Sequence, residues 1–164
     1  MTYIETERLL LKPLDNRDVD ALFQLYHDFE LMQYITGRAR TYEETRARLK
    51  AHMLDHKQYG FGLYATILKD TGDMIGRCGI EPVAKPTGLE GDIAWMFKQA
   101  YWGQGLATEF GQTMIPHGFA NFPIQRIFAT ADHNNTASIK VMKKLGMTFV
   151  KADSRGVEYE ILNR

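Results

Sequence analysis

Cysteine is scarce in this sequence. Cys78 is the only cysteine among 164 residues, which excludes an internal disulfide framework and a zinc site built from cysteine ligands. Such usage is typical of a reducing compartment, and we expect a cytoplasmic protein. The first seven residues carry two acids and no long apolar run, and no later stretch reaches the length of a membrane span. The sequence therefore predicts neither a targeting segment nor a membrane anchor.

Net charge is absent as well. Twenty basic residues balance twenty acidic ones, so no overall field draws the chain towards nucleic acid or an anionic membrane, and we expect neither as a partner. The composition, 45% hydrophobic and 24% charged, is ordinary for a globular protein. Its length and lack of repeats predict a single domain, residues 1–164, with a sizeable core.

The common nucleotide and metal motifs are incomplete. Residues 101–109 contain no Gly-Lys-Ser/Thr, which a P-loop needs, and a dinucleotide fingerprint would need a glycine where Thr108 stands. His52 and His56 have the spacing of a zinc pair on a helix, but no Glu follows His52 and no third ligand is evident. We therefore expect no metal.

A glycine turn at residues 101–109 follows a strand-like run and opens a helix near Gln104. Gly103 and Gly105 allow backbone dihedrals closed to other residues and let a ligand approach without meeting a Cβ. The free N–H groups of a helix start bind phosphate through the helix dipole. The turn thus predicts a phosphate site, with an ordinary turn between strand and helix as the alternative.

Hydrophobic periodicity predicts the elements along the chain. Strands are expected at 4–14, 60–68, 74–81, 91–97, 126–131, 147–151 and 157–162, and helices at 17–28, 41–57, 104–120 and 135–145. Pro82, Pro86 and Gly88 predict a loop, and Pro116 predicts a kinked or shortened helix. The apolar connector 31–38 either packs on the core or lines a site.

The order of these elements predicts an α/β fold of the α+β type. We expect one mixed sheet of six to seven strands with helices on both faces, because a strand–helix–strand–helix–strand stretch in the second half implies partly parallel pairing. Ligands in such sheets bind at the carboxyl ends of strands where the pairing changes direction. The glycine turn lies at such a place.

Two separated blocks resemble the GNAT acetyltransferases. The first has Asp-Ile-Ala-Trp at 92–95 and Tyr-Trp-Gly-Gln-Gly-Leu-Ala-Thr-Glu at 101–109; the second has Asn-Thr-Ala-Ser at 135–138 and Lys-Leu-Gly-Met at 144–147. The resemblance extends over nearly the whole chain and is closest to the Rim-type branch, which acetylates protein N-termini. It implies the GNAT fold and acetyl coenzyme A as the acetyl donor.

The resemblance also implies site residues. The family's pyrophosphate loop falls on residues 102–107, where Trp102 departs from the usual Gln or Arg at the first position. The strand 95–97 would pair with the pantetheine arm, Asn135 would hydrogen-bond that arm, and Ser138 would point at the thioester sulfur. The implied cofactor-binding residues are Met96, Phe97, Trp102, Gly103, Gln104, Gly105, Leu106, Ala107, Thr108, Asn135 and Ser138.

Simpler explanations of the second block stay open. Asn135 is a good N-cap, and Ser138 lies in the first turn that it would start. Lys140, Lys143 and Lys144 could meet the 3′-phosphate of the coenzyme, but lysines late in a helix also favour its negative end, and we expect them to be solvated.

Acetyl transfer from a thioester to an amine needs a free amine lone pair, a stabilised oxyanion and a proton for the leaving thiolate. At pH 7 roughly one α-amine in seven is free, against about one lysine in a few thousand. No base is fixed by the sequence: Glu81, Asp92 and Glu158 are candidates, and His133 is a weaker one. We name Ser138 and Glu158 as catalytic, since the Rim-type enzymes use an acid on the final strand.

We therefore expect an acetyl-CoA-dependent N-acetyltransferase that acts on a primary amine, a protein or peptide N-terminal α-amine, by direct transfer in a ternary complex. A small-molecule amine as acceptor, or a coenzyme-A-binding module without catalysis, are the alternatives. The expected partners are coenzyme A and the amine acceptor, in a monomer or homodimer.

Overall fold

Eight strands form one mixed sheet in the computed structural model, which describes residues 3–164, so that the first two residues of the predicted domain lie outside it. The order across the sheet is β1-β2-β3-β4-β5-β6-β8-β7, and β5 and β6 are its parallel pair. The strands are β1 (Ile4–Glu5), β2 (Leu9–Pro13), β3 (Leu63–Leu68), β4 (Met74–Lys85), β5 (Gly88–Phe97), β6 (Arg126–Ala131), β7 (Thr148–Asp153) and β8 (Gly156–Leu162).

Helices cover both faces of this sheet, as the sequence predicts. They are α1 (Val19–Tyr26), α2 (Phe29–Met32), α3 (Tyr42–Tyr59), α4 (Leu106–Asn121) and α5 (Thr136–Lys144), with single 3-10 turns at Asn16–Asp18 and Gln99–Tyr101. One core packs helices α1, α2 and α3 against one face of the sheet, through side chains such as Leu25, Leu49 and Met96. The other joins α4 and α5 to the opposite face, through residues such as Phe110 and Met142. The predicted α/β class, with one mixed sheet and helices on both of its faces, is confirmed.

The strand count exceeds the predicted six to seven because the predicted strand 4–14 is two strands. Thr6 makes the break: its backbone N–H donates to the Leu9 carbonyl at 2.9 Å, and its hydroxyl accepts from the Leu9 N–H at 3.0 Å. These bonds turn the chain back, so that β1 pairs antiparallel with β2. Hydrophobic alternation continues across the turn and therefore hides it.

The loop predicted around Pro82, Pro86 and Gly88 is also wrong. β4 continues to Lys85 and β5 begins at Gly88, so the two strands form a long hairpin. Pairing of β4 with β3 ends at Gly79, which leaves one edge of β4 free at Pro82. Proline is tolerated on such an unpaired edge because no ladder hydrogen bond is lost there.

Helix boundaries follow the sequence signals closely. Thr41 and Glu44 form the predicted capping box of α3, and Gly60 ends it in the left-handed conformation, with φ 83°. Pro116 does not shorten α4, which continues past it to Asn121. A proline removes one intrahelical hydrogen bond; burial of Met114 and Ile115 against the sheet offsets that loss.

The sheet divides between β5 and β6. The two strands pair at only two positions, Gly91 with Ile127 and Asp92 with Phe128, and separate beyond them. Because β5 continues to Phe97, its backbone edge after Asp92 has no strand beside it on that side. The gap between the two strands is where the candidate site lies.

Candidate active site

A cavity of about 580 Å³ lies where β5 has left β6. This volume is within the range of small-molecule sites. Its lining comes from the end of β5, the glycine turn, the start of α4, the start of α5 and the segment after α2. The lining residues are Glu30, Leu31, Gln33, Tyr34, Ile35, Trp95, Met96, Phe97, residues 101–108, residues 134–138, Lys140, Val141 and Lys144. All eleven of the residues expected to bind the cofactor are in this set.

The glycine turn has the geometry of an anion site. Gly103 and Gly105 have φ of 74° and 79°, in the left-handed region that side chains rarely adopt. Gly105 is the N-cap of α4 and no side chain caps the helix. The first N–H groups of α4 therefore face the cavity with the positive end of the helix dipole, ready for a phosphate.

A brace from the first hairpin holds this turn. Arg8 donates from Nε to Oε1 of Glu109 at 2.7 Å and from Nη2 to the carbonyl of Gln104 at 3.0 Å. The Thr6 hydroxyl donates to the other oxygen of Glu109. Sequence reasoning missed this brace, because residues 6–8 and 104–109 are about a hundred positions apart and neither segment alone signals a partner.

Trp102 supports the turn with its side chain. The indole N–H donates to the carbonyl of Phe97 at 2.8 Å, which ties the turn to the end of β5. The side chains of Met96 and Phe97 are buried in the two cores. The antiparallel register directs the main chain of Met96 towards β4, so the main-chain N–H of Phe97 is what this end of β5 offers to a ligand at its free edge.

The start of α5 contributes polar groups from the opposite wall. Asn135 is the N-cap, and its side chain accepts from the Ser138 N–H at 3.3 Å, as the capping interpretation predicts. The Ser138 hydroxyl has no hydrogen-bond partner within residues 3–164 and lies on the cavity wall. Lys140 and Lys144 line the same cavity, whereas Lys143 does not.

The apolar connector 31–38, which begins at the end of α2, both packs on the core and lines the cavity. Leu31 and Met32 are buried in the core under α1 and α3, whereas Tyr34 and Ile35 are exposed and line the cavity. Both sequence interpretations thus hold for this segment, and Leu31 both packs in the core and lines the cavity. Tyr34 and Ile35 give this wall an apolar surface opposite the polar start of α5.

Two of the candidate bases, Asp92 and Glu81, lie at the point where β5 and β6 begin to separate. Asp92 is the last β5 residue paired with β6, and Glu81 of β4 is its direct cross-strand partner. Burial raises the pKa of Asp92 to about 7, and the negative charge of Glu81 adds to the rise. Asp92 does not line the cavity; Trp95 and Met96, further along the same strand, do. A water molecule would have to connect this carboxyl to a reacting amine.

Glu158 lies apart from the cavity. Its Oε2 accepts from Nη2 of Arg126 at 2.7 Å, and the same guanidinium holds Glu90 at 2.9 Å and Glu160 at 2.6 Å. The structure thus brings Ser138 to the site and places Glu158 in a four-member ion-pair cluster. Its charge still reaches Asp92, whose pKa it helps to raise.

The histidines considered from the sequence have other partners. His133 is exposed and its Nε2 lies 2.6 Å from the carbonyl of Asp153. His56 bonds to the carbonyl of Leu63 at 2.7 Å, and His52 bonds to the hydroxyl of Tyr26 at 2.9 Å. The two helical histidines therefore do not form a free pair.

Comparison with known proteins agrees with this geometry. A family model described as an acetyltransferase (GNAT) domain matches residues 8–148. The chain therefore belongs to the GNAT acetyltransferases and is an enzyme of the N-acetyltransferase type. Across the described residues, 3–164, no helix is both long and apolar enough to cross a membrane.

Particular relatives extend the comparison. The chain is 32% identical over 151 residues to the uncharacterized protein YkkB of Bacillus subtilis (strain 168), covering 92% of this chain and 87% of that protein. It is 30% identical over 147 residues to the uncharacterized N-acetyltransferase p20 of Bacillus licheniformis, covering 88% and 82%. The structure of RimL, a ribosomal L7/L12 alpha-N-protein acetyltransferase in complex with coenzyme A, superposes with a TM-score of 0.84 over 98% of both chains at 20% identity. That likeness shows the shared fold.

Proposed function

We propose that this protein transfers the acetyl group of acetyl coenzyme A to a primary amine, and that its acceptor is the N-terminal α-amine of a protein or peptide. The observation that carries this proposal is the arrangement around one cavity: an uncapped helix start, an unpaired strand edge and a free serine hydroxyl. Fold similarity to RimL, an α-N-protein acetyltransferase, supports the choice of acceptor.

The donor side of the cavity fits a coenzyme A thioester. The amides around Gly105 suit its diphosphate, and the free edge of β5 suits the peptide-like pantetheine arm. Lys140 and Lys144 stand on the same wall and offer positive charge to the remaining phosphate. Because the donor is a coenzyme A thioester, the compartment that we propose is the cytoplasm.

Ser138 is the acid in this proposal. A thiolate that leaves during transfer gains charge only as the transition state forms, so a hydroxyl beside it lowers the barrier selectively. The Ser138 hydroxyl makes no hydrogen bond to any residue between 3 and 164 and is therefore available. Main-chain N–H groups near Met96 and Phe97 would polarise the thioester carbonyl.

Asp92 is the base in this proposal, acting through water. Its raised pKa, about 7, lies near the operating pH, where a base is most effective. Glu158 keeps a supporting role: Arg126 holds its carboxylate in place, and its negative charge helps to raise the pKa of Asp92. The sequence-based assignment of Glu158 as a catalytic residue thus becomes a positioning role.

The experiment is a timed release of free coenzyme thiol with three acceptors: a peptide with a free N-terminus, the same peptide blocked at its N-terminus but carrying lysine, and a small primary amine. We expect the free N-terminal peptide to react fastest at neutral pH, because its amine is the most deprotonated of the three. Equal rates on both peptides, or turnover of the small amine alone, would favour the small-molecule alternative. Thiol release with none of them, despite coenzyme binding, would favour a non-catalytic module.

A further inference from the structure

Tyr26, at the end of α1, is surrounded by guanidinium groups. Arg40 lies over its ring with 4.6 Å between the guanidinium carbon and the ring centroid, and Arg77 lies at 5.6 Å. Nε of Arg77 donates to the Tyr26 hydroxyl at 3.0 Å. Arg77 is 7% exposed and Tyr26 is 1% exposed, so this group of positive charges lies inside the molecule, between the helices and β4.

Two of these three charges lack a direct ion pair. Among residues 3–164, no carboxylate lies within salt-bridge distance of Arg40 or Arg77, and Arg48 approaches Glu81 only at 3.8 Å. A buried charge is costly unless a partner of opposite sign accompanies it. Burial accordingly lowers the pKa of Arg40; burial also opposes the charge of Arg77, but Tyr26 and Glu81 raise the pKa of Arg77. An anion that enters from outside the chain would give Arg40 and Arg77 the direct partner that they lack.

Two buried nitrogens near these arginines also lack partners, namely Nε of Arg48 and Nδ1 of His52. Arg48 and His52 lie four residues apart on α3 and so share one face of the helix. The Arg77 N–H already donates to the Tyr26 oxygen, so the tyrosine proton is available for Nε2 of His52, 2.9 Å away. That tautomer places the other proton on Nδ1, and both unpartnered atoms are then donors.

A cation is the other ligand to consider, because donor atoms of His52, Asp55 and Glu81 lie within 4.8 Å of one another. The protonated Nδ1 cannot bind a metal, and Nε2 is occupied by Tyr26. Three guanidiniums nearby would repel a cation as well, and together with burial they lower the pKa of His52 to about 2. The unpartnered nitrogens are donors that lie among positive charges, so the ligand that suits them is a negatively charged hydrogen-bond acceptor.

We infer that Arg77, with Arg40, Arg48 and His52, forms a subsite for a carboxylate of the acetyl acceptor. Arg77 is the cross-strand partner of Met96, which lines the cavity, and Glu81 on the same strand is the partner of Asp92. Neither Asp92 nor Arg77 lines the cavity itself, so in this inference a compact acceptor approaches both from the wall at Met96, with its amine towards Asp92 and its carboxylate towards Arg77. This inference rests on the proposed function and narrows its acceptor to amines that carry a carboxylate nearby.

Two sources offer that chemistry: the α-carboxylate of a free amino acid, and an acidic side chain next to the N-terminus of a peptide. The test measures kcat/KM for matched acceptors, each expressed per free amine after titration. One pair is L-leucine and L-leucinamide; the other is two amidated tetrapeptides, Ser-Glu-Ala-Ala and Ser-Gln-Ala-Ala. We expect the carboxylate member of at least one pair to be favoured tenfold or more, and that pair identifies the source.

Arg77→Met is the decisive variant, and Arg46→Met, on the exposed side of α3, is its matched control. Arg77→Met should bring the favoured ratio close to one while turnover of the uncharged acceptor persists, and Arg46→Met should leave the ratio unchanged. Should Arg77→Met not fold, Arg40→Met, at the half-buried edge of the group, should lower the ratio instead.

A thermal shift measured with coenzyme A present gives a reading that needs no turnover. L-leucine or the acidic peptide should raise the melting temperature of the wild type more than its uncharged partner does, and this difference should vanish in Arg77→Met. Equal kcat/KM within both pairs, or a ratio that survives in the folded variants, would overturn the subsite while leaving acetyl transfer intact. Loss of turnover with every acceptor would instead reject the proposed function.

Discussion

Glu81 and Asp92 lie directly opposite each other on neighbouring antiparallel strands, at the point where β5 leaves β6. Burial raises the pKa of Asp92, and the negative charge of Glu81 beside it adds to the rise. Glu81 has Arg48 at 3.8 Å, whereas Asp92 has no hydrogen-bond partner within residues 3–164. Asp92 is therefore the carboxyl of this pair that exchanges a proton near neutral pH.

Asp92→Asn should lower kcat by about a hundredfold or more, since general-base catalysis contributes about 10² to 10⁴. In the wild type, kcat/KM should rise with pH through about 7 as Asp92 ionises. Glu81→Gln should move that rise to lower pH, because it removes the neighbouring negative charge. Rates measured from pH 5.5 to 9 test both variants, with the exposed Asp70→Asn as control. An Asp92→Asn enzyme with the wild-type rate and profile would remove Asp92 from the mechanism.

The same carboxyl should make stability depend on pH. Its pKa in the folded state, about 7, lies above the ordinary value of 3.8, so its contribution to stability is full below pH 4 and is lost as the pH rises through 7. The Asp92→Asn variant has no ionisable group at this position, so it does not lose this stability as the pH rises. Relative to the wild type, the variant should gain stability as the pH rises from about 4 to about 7, by up to about 4 kcal/mol at 1.36 kcal/mol per pKa unit. Urea unfolding at several pH values measures this difference; a constant difference would show that Asp92 does not titrate in this range.

Gly105→Val should weaken coenzyme A binding at least tenfold. The residue has φ 79°, which valine rarely adopts, and a new Cβ would point towards the Arg8 guanidinium, 3.8 Å away, that braces the turn. Gly72→Val is a matched control, because Gly72 has φ 76° in a turn distant from the cavity. Calorimetry on both folded variants separates backbone strain from loss of the phosphate site. Equal affinities in the two variants would mean that the turn does not hold the diphosphate.

Ser138→Ala should lower kcat roughly ten- to a hundredfold with little change in affinity for acetyl coenzyme A. Loss of one hydrogen bond to a charged group costs about 1.5–3 kcal/mol, and this bond would exist only as the thiolate forms. The capping bond is retained, because the Asn135 side chain accepts from the backbone of residue 138. The exposed Ser154→Ala serves as control. Single-turnover rates equal to those of the wild type would assign the proton to water or to another residue.

The sequence by itself determined most of the local structure. Thr41 and Glu44 mark the start of α3, Asn135 marks the start of α5, and both caps form as predicted because they depend on residues three positions apart. The positive φ of Gly103 and Gly105 is likewise a local property that only glycine adopts readily. The eleven expected cofactor-binding residues came from the GNAT resemblance; the structure brings them to one cavity, and their role in binding stays a prediction.

Tertiary structure alone decided which groups meet across the molecule. The sequence presented Glu81, Asp92 and Glu158 as candidate bases, and the family resemblance favoured Glu158. The pairing of β4 with β5 instead places Asp92 where β5 and β6 separate, and Arg126 holds Glu158 away from the cavity. Likewise, Arg77 is one charge among twenty basic residues until the fold buries it against Tyr26. The physical reason is that burial and long-range pairing set the energy of a charge, and neither can be read from its neighbours along the chain.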